Sequence, residues 1–165
     1  MRRFEGLSDL QWKVLEPLLP KEGKRGKGKP HTPWRKVLNT ILWVLINGAR
    51  WCDVPKGSQW GSRSASHRWL GIWGESGLIK EMLRALQELA SLSKLMDLER
   101  LHVDGFYSSG KGGGDLVDYG YKGKGVTSHL LIDNLGNPLG ISCTGASGDE
   151  RKEVLPLIKK NHPMG

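Results

Sequence analysis

Few residues in this sequence have the type and setting to do chemistry, and they fall into two sets. The first set is built on a carboxylate. The run Leu98–Asp104, LERLHVD, reads as a short strand that ends on Asp104. An acid at the end of an apolar strand is costly to bury unless it binds a metal, pairs with a cation or reaches solvent. Metal-assisted phosphoryl transfer uses such acids, two or three together on one or two magnesium ions. Asp133 is the other acid at a strand end, but DNLGN reads as a turn, where Asp is ordinary. Asp115 and Asp118 lie in a glycine-rich stretch and rank lower, and His102 and His129 take strand positions where a packed or rim histidine is commoner than a ligand. The octapeptide GFYSSGKG, residues 105–112, approximates a phosphate-binding loop after a strand. Gly112 stands where Ser or Thr would hold magnesium, so a flexible loop is the better account.

The second set could hold a polyanion. SRSASHRW places Ser62, Arg63, Ser64, Ser66, His67 and Arg68 at the start of a helix, hydroxyls and cations together. Such a face suits phosphates and base edges, with Arg63, Ser64, His67 and Arg68 as the contacting residues. The segment KEGKRGKGKPHTP has no apolar side chain, and its Lys21, Lys24, Arg25, Lys27 and Lys29 fit phosphate contact that does not read sequence. Charge distribution points the same way. Residues 1–75 hold 14 Lys+Arg against 6 Asp+Glu, whereas residues 76–165 hold 11 against 11. The net charge of +8 therefore belongs to the N-terminal part, which favours nucleic acid as partner. A plain helical bundle with a solvated basic surface is the rival account.

The elements that must position these residues change period near residue 94. Before it the apolar spacing is helical. Leu10, Val14, Leu15 and Leu18 form one stripe, opened by a Ser8–Gln11 capping box and stopped by Pro20. A second helix spans Trp34–Asn47 and closes on Gly48; a third starts near Ser62 or Arg63 and reaches Trp73; a fourth spans Leu78–Leu92. All seven tryptophans lie in this part, most of them on or beside apolar faces, as core. After it come the strand Leu98–Asp104, a loop Gly105–Gly125, and strands His129–Ile132 and Pro138–Ser142 about the DNLGN turn. A last helix is expected behind a Ser147–Glu150 capping box. The fold class is α+β. A helical, helix-turn-helix-like DNA-binding domain is expected over residues 1–95, and a β-β-β-α segment over 96–165.

Cys52 and Cys143 make no CxxC or CxxH spacing and are expected to be reduced in a cytoplasmic protein. No apolar core of a signal peptide follows the basic N-terminus, and the longest apolar stretch is about half a membrane span, so no membrane partner is expected.

Several segments together resemble bacterial insertion-sequence transposases of the insertion sequence four/five superfamily, which are DDE enzymes. They are LSDLQWKVLEPLLP, WRKVLNTILWVLINGARWCDVPKGSQWGSRSASHRWLGIW, HVDGFY and GKGVTSHLLIDNLGNPLGISCTGASGDERKEVLPLI, and they span most of Leu7–Lys160. The resemblance implies a DNA-binding domain for terminal inverted repeats followed by an RNase H-like core that uses Mg²⁺, of which the β-β-β-α segment over 96–165 is an incomplete part. It places the first catalytic, metal-holding Asp on the first core strand, at Asp104. It puts the second Asp after a fourth strand and the Glu on a later helix, neither of which the sequence is expected to contain. On that reading the chain is inactive alone and relies on a downstream-frame product or fused segment for the missing acids. A homo-oligomer is also expected. The alternative is a non-catalytic DNA-binding regulator or a remnant.

Overall fold

The computed structural model describes residues 4–21, 31–110 and 112–161. Its contacts divide the chain into two units, Met1–Leu86 and Gln87–Gly165.

The first unit is helical. Helix α1 (Asp9–Leu15) starts on Ser8, whose hydroxyl accepts from the Gln11 amide while the Gln11 side chain takes the Ser8 N–H. This is the expected capping box, which satisfies two otherwise unpaired donors. A short 3₁₀ turn, Glu16–Leu18, carries the chain to Pro20. Helix α2 (Trp34–Asn47) has the expected bounds and ends on Gly48 at φ 57°, the left-handed cap glycine adopts without penalty. Helix α3 (Arg63–Glu75) runs two residues past Trp73, and α4 spans Leu78–Leu92 as its pattern requires.

The core of this unit gathers Leu7, Leu15, Trp34, Val37, Ile41, Trp73 and Met82. Trp34 stands edge-on to Trp69 and Trp73, with ring centroids 4.6 and 5.3 Å away, the geometry that ring quadrupoles favour. Trp43 and Trp60 form a second small cluster.

Two polar side chains of α2 are also buried, and both hold distant backbone. Asn39 accepts from the Leu7 N–H (2.9 Å) and donates to the Gln59 carbonyl (3.1 Å). Thr40 accepts from the Gly61 N–H (2.8 Å) and donates to the Lys36 carbonyl (2.9 Å). One side chain thus fixes the approach to α1, and the other fixes the approach to α3. Glycine suits position 61, where a Cβ would sit a tight 3.1 Å from the Lys36 carbonyl and the Ser66 hydroxyl.

The second unit is an antiparallel sheet with one helix on it. Strand β3 (Gly123–Asp133) is central. Along one edge it pairs with β1 (Leu101–Ser109), and along the other with β4 (Pro138–Gly145) and the three-residue β2 (Asp118–Gly120). Helix α5 (Glu150–Asn161) lies on one face, where Leu157 packs on Leu131 and Leu139 with Leu101 and Val103 alongside. A Cβ at Gly105 would collide with the Glu150 side chain, and one at Gly140 with Asn161. Glycine at both ends lets the helix sit close to the sheet.

Four expectations change here. The strand expected to end at Asp104 continues to Ser109, and the loop expected over Gly105–Gly125 holds the end of β1, all of β2 and the start of β3. Gly105 signals a breaker in sequence, but here it serves close approach of α5. The segment read as β-β-β-α therefore has four strands before its helix. The capping box expected at Ser147 does not form: the Ser147 hydroxyl donates to Asp118 (2.8 Å), and Asp149 accepts from the Arg151 amide instead (3.0 Å).

Asn39→Ala should destabilise the helical unit by about 1–3 kcal/mol, chiefly because the buried Leu7 N–H loses its acceptor. Urea unfolding followed by tryptophan fluorescence reads this unit, since all seven tryptophans lie in it. A loss below about 0.5 kcal/mol, the range of ordinary surface changes, would show that Asn39 is not the clamp described.

Candidate nucleic-acid interface and catalytic strand

Helix α3 turns Ser66, Trp69, Leu70 and Trp73 inward and leaves Arg63, Ser64, His67 and Arg68 exposed. The four outward residues follow i, i+1, i+4, i+5 spacing, so they share one face. Beside the helix start lies a surface cleft of ≈590 Å³ lined by Trp51, Cys52, Ser62, Arg63, Ser64 and His67. His67 stands edge-on to Trp51, with centroids 5.2 Å apart, and the Arg68 guanidinium lies 5.9 Å from the Trp69 ring centroid. Among the described residues neither Arg63 nor Arg68 is in an ion pair, whereas Arg35 is held by Asp9 and Arg50 by Asp53. The cleft thus offers the Arg63 guanidinium, the Ser62 and Ser64 hydroxyls and the His67 imidazole around a concave surface that can admit phosphate oxygens, with Arg68 exposed on the same helix face. Helices α2 and α3 are joined by residues 48–62, a connection longer than the three or four residues of a compact helix-turn-helix. Lys24, Arg25, Lys27 and Lys29, also expected to contact DNA, lie outside the described residues.

In the second unit Asp104 is the fourth residue of β1, opposite Leu130 of β3. Its side chain is exposed. Strand alternation puts it with His102, Phe106 and Ser108 on the face away from α5. The expected end-of-strand position is therefore replaced by a mid-strand one on an open face, which lets the acid meet solvent at little cost.

The other acids and histidines are used differently. Asp133 is fully buried, and its carboxylate accepts from the backbone N–H groups of Asp97 (2.9 Å), Leu135 (3.0 Å) and Asn137 (2.7 Å) and from the Asn137 side chain (2.9 Å). Burial pushes its pKa up, but the Asn137 side chain and the three amides outweigh that and leave it below the usual carboxylate value. It is the knot of the β3–β4 turn. His129 is buried with Nε2 2.9 Å from the Thr144 hydroxyl, and His102 is exposed. Among the described residues no three His, Cys, Asp or Glu side chains converge where a metal could be held. Asp104 alone does not fit a two-magnesium centre.

Comparison with known proteins decides the family. Residues 7–83 match the family model described as "Putative transposase of IS4/5 family (DUF4096)". A protein of Burkholderia cepacia described as "Insertion element IS402 uncharacterized 16.2 kDa protein" is 32% identical over 101 residues, 59% of this chain and 69% of the relative. The chain belongs to the IS4/5 transposase family. A second relative, "Uncharacterized protein y4sN" of Sinorhizobium fredii, is 37% identical over 92 residues, 56% of this chain and 71% of its own length. No solved structure matches.

Within this IS4/5-family chain, the matched stretch carries the exposed α3 face and the Asn39–Thr40 clamp. The cleft beside α3 was the feature that residue types alone did not reveal. Trp51 and Cys52 come from the connection, and only folding brings them to Arg63 and His67. Both cysteines are free and exposed, and no helix among the described residues is long and apolar enough to cross a membrane.

The Asp133 knot predicts a pH dependence. Its folded-state pKa is below the unfolded one, so its stabilisation is present above the unfolded value, near 3.8, and is lost as pH falls through the folded value. Asp133→Asn should therefore be less stable near pH 7 and lose less on acidification, so that the two melting curves converge below about pH 4. Parallel curves from pH 7 to 2 would refute the assignment.

Proposed function

We propose that this chain acts in DNA transposition by binding the terminal inverted repeats of an insertion sequence as double-stranded DNA. The exposed α3 face carries the reading: Arg63, Ser64 and His67 line a concave surface and Arg68 is exposed on the same helix, with neither arginine in an ion pair among the described residues. Helix α3 would enter the major groove in a helix-turn-helix-like way, and the basic residues Lys24, Arg25, Lys27 and Lys29 would hold phosphates. Residues 1–75 bring the whole excess of positive charge to that part of the chain.

Asp104 would be the first acid of a DDE-type, RNase H-like core. An antiparallel sheet that presents an acid on its first strand, with a helix after the fourth, supports that assignment. Bound Mg²⁺ would supply charge neutralisation at the scissile phosphate, with further carboxylates beside Asp104. The described residues bring no such acids to Asp104, so the chain by itself is expected to bind DNA without cutting it. A downstream-frame product or fused segment would complete the site. The same observation favours a second reading, a regulator that occupies the ends without cleaving them. Strand β1 pairs only with β3 among the described residues, and its other edge could support a homo-oligomer.

Binding should be strongly salt-dependent. With about five phosphates neutralised, affinity should fall by two to three decades between about 50 and 200 mM salt. Salt-independent binding would refute the interface. In competition assays Arg63→Ala should reduce the ratio of specific to non-specific binding, by about 1–3 kcal/mol at one base position, whereas Lys27→Ala should lower both alike. Identical effects would show that α3 does not read sequence.

The purified chain should neither nick nor join DNA with Mg²⁺ or Mn²⁺. Metal-dependent cleavage abolished by Asp104→Ala would establish a complete active site and overturn the expectation of inactivity.

A further inference from the structure

The sheet face that carries Asp104 also carries two exposed aromatic rings. Phe106 follows Asp104 by two residues on β1 and is 47% exposed; Tyr119 on β2 is 72% exposed. Neither packs against another aromatic ring among the described residues. Tyr119 pairs with Lys124, and Lys124 lies on β3 an even number of residues from Leu130, the partner of Asp104. Strand alternation therefore sets Asp104, Phe106, Lys124 and Tyr119 on one face, in a track roughly 20 Å long at about 3.3 Å per residue. The Lys124 ammonium lies 5.9 Å from the Tyr119 ring centroid.

The far end of this track is held firmly. Asp118 accepts from the Tyr119 amide (2.6 Å) and from the Ser147 hydroxyl (2.8 Å), and the Tyr107 hydroxyl donates to the Lys124 carbonyl (2.7 Å). A side chain at Gly120 would strike the Ala146 backbone, and one at Gly125 would strike Ser108 and Tyr107. The rings are thus presented by a braced hairpin, and none of the described residues of the unit buries them.

Exposed rings interleaved with a lysine are what a single strand of nucleic acid requires, since every base has a face to stack and every link has a charge. A duplex hides those faces. We propose that Phe106, Tyr119 and Lys124 form a stacking platform for unpaired DNA bases that leads to Asp104. The proposal rests on the reading of the chain as a DNA-binding protein, but it concerns unpaired strand rather than the duplex held by α3.

The test uses the full chain with three probes: a blunt duplex, the same duplex with a single-stranded extension containing 2-aminopurine, and that single strand alone. The extension should tighten binding by about tenfold and quench the 2-aminopurine. Tyr119→Ala and Phe106→Ala should remove most of both effects and leave blunt-duplex affinity unchanged, while Tyr119→Phe should keep both. Tyr121 is fully exposed but lines the concavity beside the start of α5, with Gly105 and Tyr107, so Tyr121→Ala should change neither. Circular dichroism melting confirms that each variant is folded, and Tyr119→Ala decides the matter if Phe106→Ala is not. The proposal is overturned if the extension adds nothing to wild-type binding and causes no quench, or if gain and quench survive Tyr119→Ala. Failure of wild type to bind the blunt duplex would instead refute the α3 reading, and quenching of the single strand would still judge the platform.

Discussion

The presentation of α3 depends on two polar side chains in the middle of α2. Asn39 and Thr40 sit among apolar neighbours, where an unpaired amide or hydroxyl would be costly, so each must find backbone partners. The partners they find are Leu7, Gln59 and Gly61, all outside α2. Apolar contacts around Trp34 and Trp73 are non-directional and would tolerate small rotations of one helix on another. The Thr40–Gly61 bond is directional and lies two residues before α3 begins. It sets where the helix starts, and so which side chains meet the cleft. The Asn39 bond to Leu7 ties the start of the chain to the same helix, and the Arg35 guanidinium reinforces it at the Leu7 carbonyl (2.7 Å).

The second unit uses the same device in a different setting. Asp133 closes the turn between β3 and β4 by accepting four N–H bonds, one of them from Asp97, ahead of β1. That carboxylate therefore fixes the start of β1 relative to β3. Once the register Leu101↔Asp133 is set, Asp104 must lie opposite Leu130, and alternation must put it on the open face. A shift of one residue would turn Asp104 under α5, against a helix that begins with Glu150 directly behind Asp149. The acid available for chemistry is thus placed by another acid that is not.

What the sequence disclosed follows from these physical differences. The helices of the first unit were legible because period, cap and stop coincide: Ser8 with Gln11, Trp34 to Gly48, Leu78 to Leu92. The sheet was less legible because its glycines carry two meanings. Gly105, Gly120 and Gly125 signal loop by composition, yet they sit in strands because a helix, a backbone carbonyl or a tyrosine ring approaches within the space of a Cβ. No local pattern contains that neighbour. Ser147 and Glu150 had the spacing of a capping box, but Asp118, far away in sequence, claims the serine. Asp104 was visible as an acid in an apolar strand, though its exposure follows only from register. The cleft beside α3 joins residues of the 48–62 connection to the helix, and so could not be read from either alone.

The split of charge between the units constrains how they can work. Residues 87–165 hold 9 Lys+Arg against 10 Asp+Glu, so the unit that bears Asp104 has little long-range attraction for a polyanion. Its own cations on the open face, Lys124 above all, act only at short range under physiological screening. If the chain binds DNA as proposed, capture falls to residues 1–75, and a strand would reach the Asp104 face as an intramolecular event. Tethering gives that second step an effective concentration set by the linkage rather than by intrinsic affinity. A weak, sequence-tolerant contact near Asp104 is sufficient under such an arrangement. A strong one would hold DNA wherever it was met, without regard to the sequence selected at α3. On the proposed reading, weak local affinity beside the acid and strong basic capture elsewhere would be two aspects of one requirement, that chemistry follow recognition.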